Sequence, residues 1–460
     1  MVSPQHEVES RCLVFLEAFG SATLAATLMA IIMWIGGDEE VYMDFVCLST
    51  LGVVLATPCW GWLSDVCHQR RLLLCACSSM SLLTFAIIVA WAFRAEGRKR
   101  LWLLSSPWFE FMAVLWGASK AYAVLLVSTH HARLPYEGRV LTQCYLTASA
   151  IAGAAVASPL LMLILSWSDS SDVARLVALL ILSLGTSWLW YHRRGTPALP
   201  DGGTFWGTTR ALCHTDCTDD GQLPEPEDDK QACFERGLWK LLASGSARVS
   251  RLTVMLGLPL VLRSAYSGND EHEALLLFLS VGLGGVTAVI SWWILPGTLW
   301  VFSPTRVGHV LRGMAVLALV FTVTPQLSVE LFLLLVFSAM SLMSLADTVC
   351  TADIAAAVPS STMGLVLGLT EAFAYAGVAM SCCLLRMTFV LHPGQLGDSA
   401  PAMQTISSPR FVLALVCGLP VIISTGCAWM GGPGRPLSSP SGYRIVDGTD
   451  YSVAPKAFLV

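Results

Sequence analysis

Charge is what this sequence has least of. Asp, Glu, Lys and Arg make up 13% of its 460 residues, where a soluble domain carries about 25%. Asparagine occurs once, at Asn269, and Asp270 and Glu271 follow it, so there is no acceptor for N-glycosylation. No G-x-x-x-x-G-K-S/T loop and no H-E-x-x-H pair occurs, which excludes the common nucleotide-cradling and zinc-protease motifs. No catalytic constellation emerges, so the expectation is a protein that is not an enzyme and needs no cofactor. The net charge of -5 comes without a basic stripe, and no nucleic-acid partner is expected. The 10-residue alternation of a membrane barrel is missing too. Cysteine is plentiful, at 15 residues, but Cys47, Cys75, Cys77, Cys350, Cys382 and Cys417 sit inside apolar runs. There they act as small hydrophobes and do not report a disulfide framework. Cys213, His214, Cys217 and Cys233 have poor spacing for zinc, and no metal site is expected.

What is present is a succession of long apolar runs. Hydrophobic residues reach 55% and mean hydropathy is +0.65. A helix crosses the bilayer core with roughly 20 apolar residues, and only helices satisfy their own backbone in lipid one segment at a time. The first six runs are Cys12 to Ile35, Tyr42 to Trp62, Leu72 to Phe93, Pro107 to Val127, Leu141 to Trp167 and Ala174 to Tyr191. The first is too long for a signal core and has Glu7 and Glu9 on its flank, so it reads as a span. A polar, acidic stretch follows, with helix expected only near Phe234 to Leu242. Apolar runs resume at Leu252 to Tyr266, Ala274 to Leu295, Val307 to Val323, Leu327 to Cys350, Met363 to Met387 and Phe411 to Met430. The expected fold is an all-α membrane protein of twelve transmembrane helices in two six-helix pseudo-repeats. Residues 1–192 would form the first bundle, 193–251 a cytosolic central loop, 252–430 the second bundle and 431–460 a cytosolic tail. Ala132-Arg133-Leu134-Pro135 before segment five and Ala357-Val358-Pro359 before segment eleven give a faint internal echo. The Lys and Arg bias of the loops favours both termini inside. The basic loop Arg94 to Arg100 runs against that bias.

Between the second and third runs stands GWLSDVCHQRRLL, from Gly61 to Leu73. Six plus six helices with this loop at this place resemble the major facilitator superfamily. Gly61, Leu63, Ser64, Asp65, Arg70 and Leu73 match its signature, while Val66, His68 and Gln69 depart from it. The LPYEGR stretch, VPSSTMG and GLTEAFAYAG resemble a branch of fungal facilitators taken to export small organic molecules. The resemblance implies a cytosolic gate latch at Gly61, Leu63, Asp65, Arg70 and Arg71. Its physics is readable: Gly61 lets a neighbouring helix approach, and Asp65 suits the exposed amides and positive dipole at the start of segment eleven, where Ser360 or Ser361 can cap. A plain solvated turn at Asp65, and a mere positive-inside role for Arg70 and Arg71, are the alternatives.

Ionisable residues inside apolar runs are costly and mark functional sites by default. Glu17, Lys120, Arg263 and Asp347 fall one each on segments one, four, seven and ten, which by resemblance line a central cavity. Residue count places Glu17 and Lys120 at similar depth, and pairing across the cavity is expected. Glu371 stands midway along segment eleven with no evident partner, either a proton carrier or a group bonded to a neighbouring helix. Bland readings stand beside these: Glu17 and Asp347 near an interface, Arg263 snorkelling outward. Ala113 occupies the place where many proton-coupled facilitators carry an arginine.

The function expected from this reading is secondary active transport of a small organic solute by alternating access, with protons as candidate coupling ion and efflux as the preferred direction. A transporter-like sensor or scaffold that moves nothing is the alternative. The expected setting is the lipid bilayer of the plasma membrane, ahead of a vacuolar or other internal membrane.

Overall fold

The computed structural model describes residues 11–12, 14–16, 18–19, 39–66, 73, 76–77, 79–81, 83–84, 86–87, 107–120, 136–166, 237–254, 270–324, 327–358, 362–389 and 409–431. Regular structure among them is helical throughout. We label α1 Glu39–Val66, α2 Pro107–Ser119 and α3 Tyr136–Ser166 in the first half of the chain. In the second half, α4 covers residues 237–254, followed by α5 Asp270–Val289, α6 Leu295–Val301, α7 Pro304–Phe321, α8 Val329–Ala357, α9 Met363–Phe389 and α10 Pro409–Met430. The sixth expected span, the stretch 193–236 and the tail from 432 lie outside the described residues.

Among the described residues, six stretches are long and apolar enough to cross a bilayer: Val41–Val66, Gly138–Ala157, Val281–Leu299, Val329–Ala355, Met363–Leu385 and Phe411–Met430. The surfaces of these helices and of α7 fit that solvent. On α7, Val310, Met314, Leu317, Val320 and Phe321 are exposed at helical spacing, and on α10 so are Leu415, Leu419, Ile422 and Trp429. The opposite faces of α7 and α10 are also apolar, and Ala315, Leu319, Leu413, Cys417 and Val421 join Phe332, Leu333 and Val336 of α8 in one core. Helices apolar on both faces belong in lipid.

Two helices are interrupted for identifiable reasons. Between α5 and α6 the chain widens into a π turn, Ile290–Ile294. Pro296, just inside α6, has no N–H to continue the ladder, which favours such a local readjustment. Pro58 lies inside α1 and likewise removes one backbone bond. Beside it the Thr57 hydroxyl sits 2.8 Å from the Val53 carbonyl and 3.2 Å from that of Gly368 on α9.

Helix α4 differs from expectation. Helix was expected near Phe234 to Leu242, with linker to residue 251 and the seventh span from Leu252. The structure carries helix through residues 237–254 without a break. Ala243, Ser244, Ala247, Val249 and Ser250 are buried. The basic residues that made the stretch look like a loop find carboxylates on neighbouring helices, so they do not end the helix.

The first and second halves meet along α1 against α9 and α3 against α5 and α8. Small residues make these contacts close. Ala155 of α3 faces Gly284 of α5, whereas Gly282 and Gly285 have open space beside them.

Candidate functional site

The first constellation joins the two halves at one end of the molecule. Asp65 stands at the last turn of α1. Its Oδ1 accepts from the Gly364 amide at 2.9 Å and its Oδ2 from the Leu365 amide at 2.8 Å. These amides belong to the first turn of α9, whose donors have no partner within the helix. The helix dipole adds to the attraction for the carboxylate. The backbones come close enough for this because both partners are glycine. A Cβ on Gly61 would strike the carbonyl of Gly364, with its carbon 2.7 Å away, and a Cβ on Gly364 would lie 2.8 Å from Asp65 Oδ1. Ser64 is fully buried and turns its hydroxyl back to the Gly61 carbonyl at 2.8 Å. Leu63 is half-buried in the same turn.

Two further cations tie the halves together at this end. Arg139 of α3 donates through Nη1 to the carbonyls of Ala355, at 3.1 Å, and Val358, at 2.6 Å. These carbonyls belong to the end of α8, where the helix dipole favours a cation. Arg11 lies 4.2 Å from the centre of the Tyr145 ring on α3 and 4.7 Å from that of Trp292 in the π turn. The two rings are themselves 4.9 Å apart. A guanidinium between two aromatic faces is a favourable cation–π arrangement. The sequence reading used such arginines only in the general Lys and Arg bias of the loops.

The second constellation lies within the second half. On α8, Asp347 is 5% exposed and receives Arg248 of α4 in a fork, from Nε at 3.2 Å to each oxygen and from Nη2 at 3.1 Å to Oδ1. Arg251 Nη1 stands 3.4 Å from Asp347 Oδ2. Thr351, one turn along α8, donates to Asp347 at 3.3 Å and accepts from Arg248 Nη2 at 3.0 Å. Ser244 reaches Asp347 Oδ1 at 3.5 Å. The third nitrogen of Arg248, Nη1, pairs with Glu371 of α9. Spacing explains the assembly: Ser244, Arg248 and Arg251 recur at four and three residues and share one face of α4, and Asp347 and Thr351 share a face of α8. Two guanidinia balance two carboxylates, so the network as a whole is neutral. The carboxylates differ in access. The Asp347 side chain is 7% exposed and that of Glu371 18%.

The structure therefore separates the residues singled out in the sequence. Gly61, Leu63 and Asp65 sit together at the α9 start. Asp347 and Glu371 meet through Arg248, a residue the sequence reading passed over as part of a loop, and Glu371 has the partner that inspection did not find. Lys120 is half-buried at the end of α2, with its Nζ 4.0 Å from the Trp116 ring centre. Glu17, Arg70, Arg71, Arg263, Ser360 and Ser361 lie outside the described residues. The signal for Arg248 was available: Lys240, Ser244, Arg248 and Arg251 keep helical spacing straight into an apolar run.

No known family model matches the sequence, and no curated protein matches it either. Solved structures do. The human organic anion transporter MFSD10 matches with a TM-score of 0.59 at 14% identity, over 92% of this chain and 99% of that one. A bacterial homologue of the iron transporter ferroportin, in an outward-facing state, matches with a TM-score of 0.63 at 14% identity, over 92% and 99%. The proton:xylose symporter XylE matches with a TM-score of 0.63 at 12% identity, over 94% and 97%. Likeness over more than nine-tenths of each chain, at so low an identity, fixes the architecture: the chain has the fold of the major facilitator superfamily transporters.

Proposed function

We propose that this chain is a secondary active transporter that moves a small organic solute by alternating access, with protons as the coupling ion. The observation that carries the reading is the Asp65 contact. It joins opposite halves through two backbone amides and a pair of glycines at one end of the α1–α9 contact, polar partners that water can replace when the contact opens. Solute transport by structural relatives of diverse cargo supports the same reading.

In this reading the Asp65 end faces the cytosol, and the structure is the state closed on that side. Arg139 and Arg11 reinforce the closure. Opening would return three sets of polar groups to water, where each finds new partners, so the cost is moderate and the change reversible. Glu371 is the proposed proton carrier. It is the more accessible of the two carboxylates, and Arg248 keeps Asp347 as its partner when Glu371 takes a proton and lets go. Lys120, with Trp116 beneath it, is the proposed cation facing solute in the first half. Efflux across the plasma membrane is the proposed direction and place.

The test is flux in proteoliposomes loaded with a panel of labelled organic anions, cations and sugars, with and without an imposed pH gradient. Gradient-driven uptake of at least one solute is expected, together with solute-dependent alkalinisation reported by an enclosed pH dye. Folded protein that moves none of the panel and never opens at the Asp65 end would favour the sensor or scaffold.

A further inference from the structure

A second charged cluster lies away from both constellations, inside the second half at the Asp65 end. Arg312 of α7 is among the largest fully buried side chains described, with 1% exposure. Its Nη2 reaches the Cys350 sulfur on α8, a weak and neutral partner. Its Nε and Nη1 are buried and find no partner among the described residues. Gly308, one turn earlier, leaves the room the guanidinium needs: a Cβ there would lie 3.2 Å from Nη1. A buried guanidinium with two idle nitrogens is among the costliest things a protein can hold.

Arg312 is among the residues that line a cavity of ≈ 20 Å³, with Lys240 of α4, Cys350 and Asp353 of α8, and Pro304 and Thr305 at the start of α7. Lys240 and Asp353 pair with each other, Nζ to Oδ2 at 3.3 Å. Two cations thus stand against one carboxylate, which leaves a single positive charge. The first turn of α7, an 18-residue helix, adds the positive end of its dipole. The volume exceeds the ~10–15 Å³ that one water requires. A phosphate or sulfate would bring a double charge that overshoots the balance.

We propose that this cavity is a binding site for one monovalent anion of chloride size, with Arg312 as its main ligand and Lys240 as the second cation. The anion neutralises Arg312 and joins α4, α7 and α8 at the end of the bundle that carries the latch. It does not depend on what the protein transports.

The test uses the full chain in detergent, exchanged into sodium gluconate and titrated with sodium chloride at constant ionic strength. Thermal stability and equilibrium binding of radiolabelled chloride are read together. A ligand that binds only the folded form raises stability in a saturable way, and that is expected of the unaltered protein. R312Q is expected to lose both the stabilisation and the binding. D353N and K240Q decide the matter even where R312Q does not fold. D353N removes the local negative charge and should lower the half-saturating chloride roughly tenfold, while K240Q should raise it roughly tenfold. Absence of chloride-specific stabilisation and binding in the unaltered protein would overturn the proposal. So would midpoints that move in the same direction in D353N and K240Q, which is the mark of a structural ion pair.

Discussion

Two aspartates invite comparison. Asp65 and Asp347 both sit where a membrane helix meets its neighbours, and both are fully hydrogen-bonded. Asp65 takes neutral donors, the amides of Gly364 and Leu365, across the boundary between halves. Asp347 takes charged donors, Arg248 and Arg251, inside one half. Neutral donors at a helix start hold an anion without creating a second buried charge. If this contact opens, one carboxylate and the two amides are given over to water without leaving a second charge behind. If the Asp347 network opened, four charges would stand unpaired in a poorly solvated bundle. One arrangement suits a joint, and the other a block in which Arg248, Arg251 and Asp347 stay assembled.

This contrast can be broken at either side. The largest effect is expected at Arg248. Arg248→Met leaves Asp347 and Glu371 without their shared guanidinium and should cost about 3–5 kcal/mol, seen as a marked fall in the thermal midpoint of the purified protein. Arg248→Lys should not restore it, because one ammonium cannot reach both carboxylates in a fork. A midpoint unchanged by Arg248→Met would remove the block from the account.

Next comes Gly61→Val. The new side chain meets the Gly364 backbone, which cannot step aside, so the closed contact should be lost at about 1–3 kcal/mol. Thermal stability of the bundles should fall little, because the clash is relieved by opening. Accessibility of a reporter at Val66, which is exposed, distinguishes opening from unfolding.

Asp65→Asn is gentler. The amide keeps an oxygen for one N–H but brings its own donors and loses the charge, so about 1–2 kcal/mol of closure is expected to go. Glu371→Gln should leave stability near that of the parent and make flux indifferent to a pH gradient. Persistent coupling in this variant would assign the proton elsewhere. The smallest effect is expected from Lys120→Met, which loses a cation–π contact worth about 0.5–1 kcal/mol and should change solute selection more than stability.

The two sites were not equally legible in the sequence. Asp65 could be read because the stretch from Gly61 to Leu73 resembles a known signature, and the resemblance implied a partner at the start of another helix, although Gly364 and Leu365 lie 299 and 300 residues away. The Arg248 network could not be assembled, because its members are 99 and 123 residues from Arg248 and no local pattern links them. The acidic stretch before residue 237 also hid Arg248 by making its surroundings look like linker. Helix existence was readable from apolar length, yet the ends drifted. α1 runs to Val66 and α8 to Ala357, past the apolar runs, because polar residues such as Asp65 and Asp353 continue a helix once they have partners. Arg312 falls between these cases. The sequence showed an arginine in a short apolar run, but only packing shows that it is buried beside a cavity with two nitrogens unpartnered among the described residues.

The central claim is that the halves part at the Asp65 end. The direct measurement is the distance between spin labels at Val66 and Val301, both exposed at that end and on opposite halves, in a cysteine-depleted background. The account predicts two distances whose populations shift with pH and solute, and a shift toward the longer one in Asp65→Asn. A single distance, unmoved by pH, solute or Asp65→Asn, would contradict it.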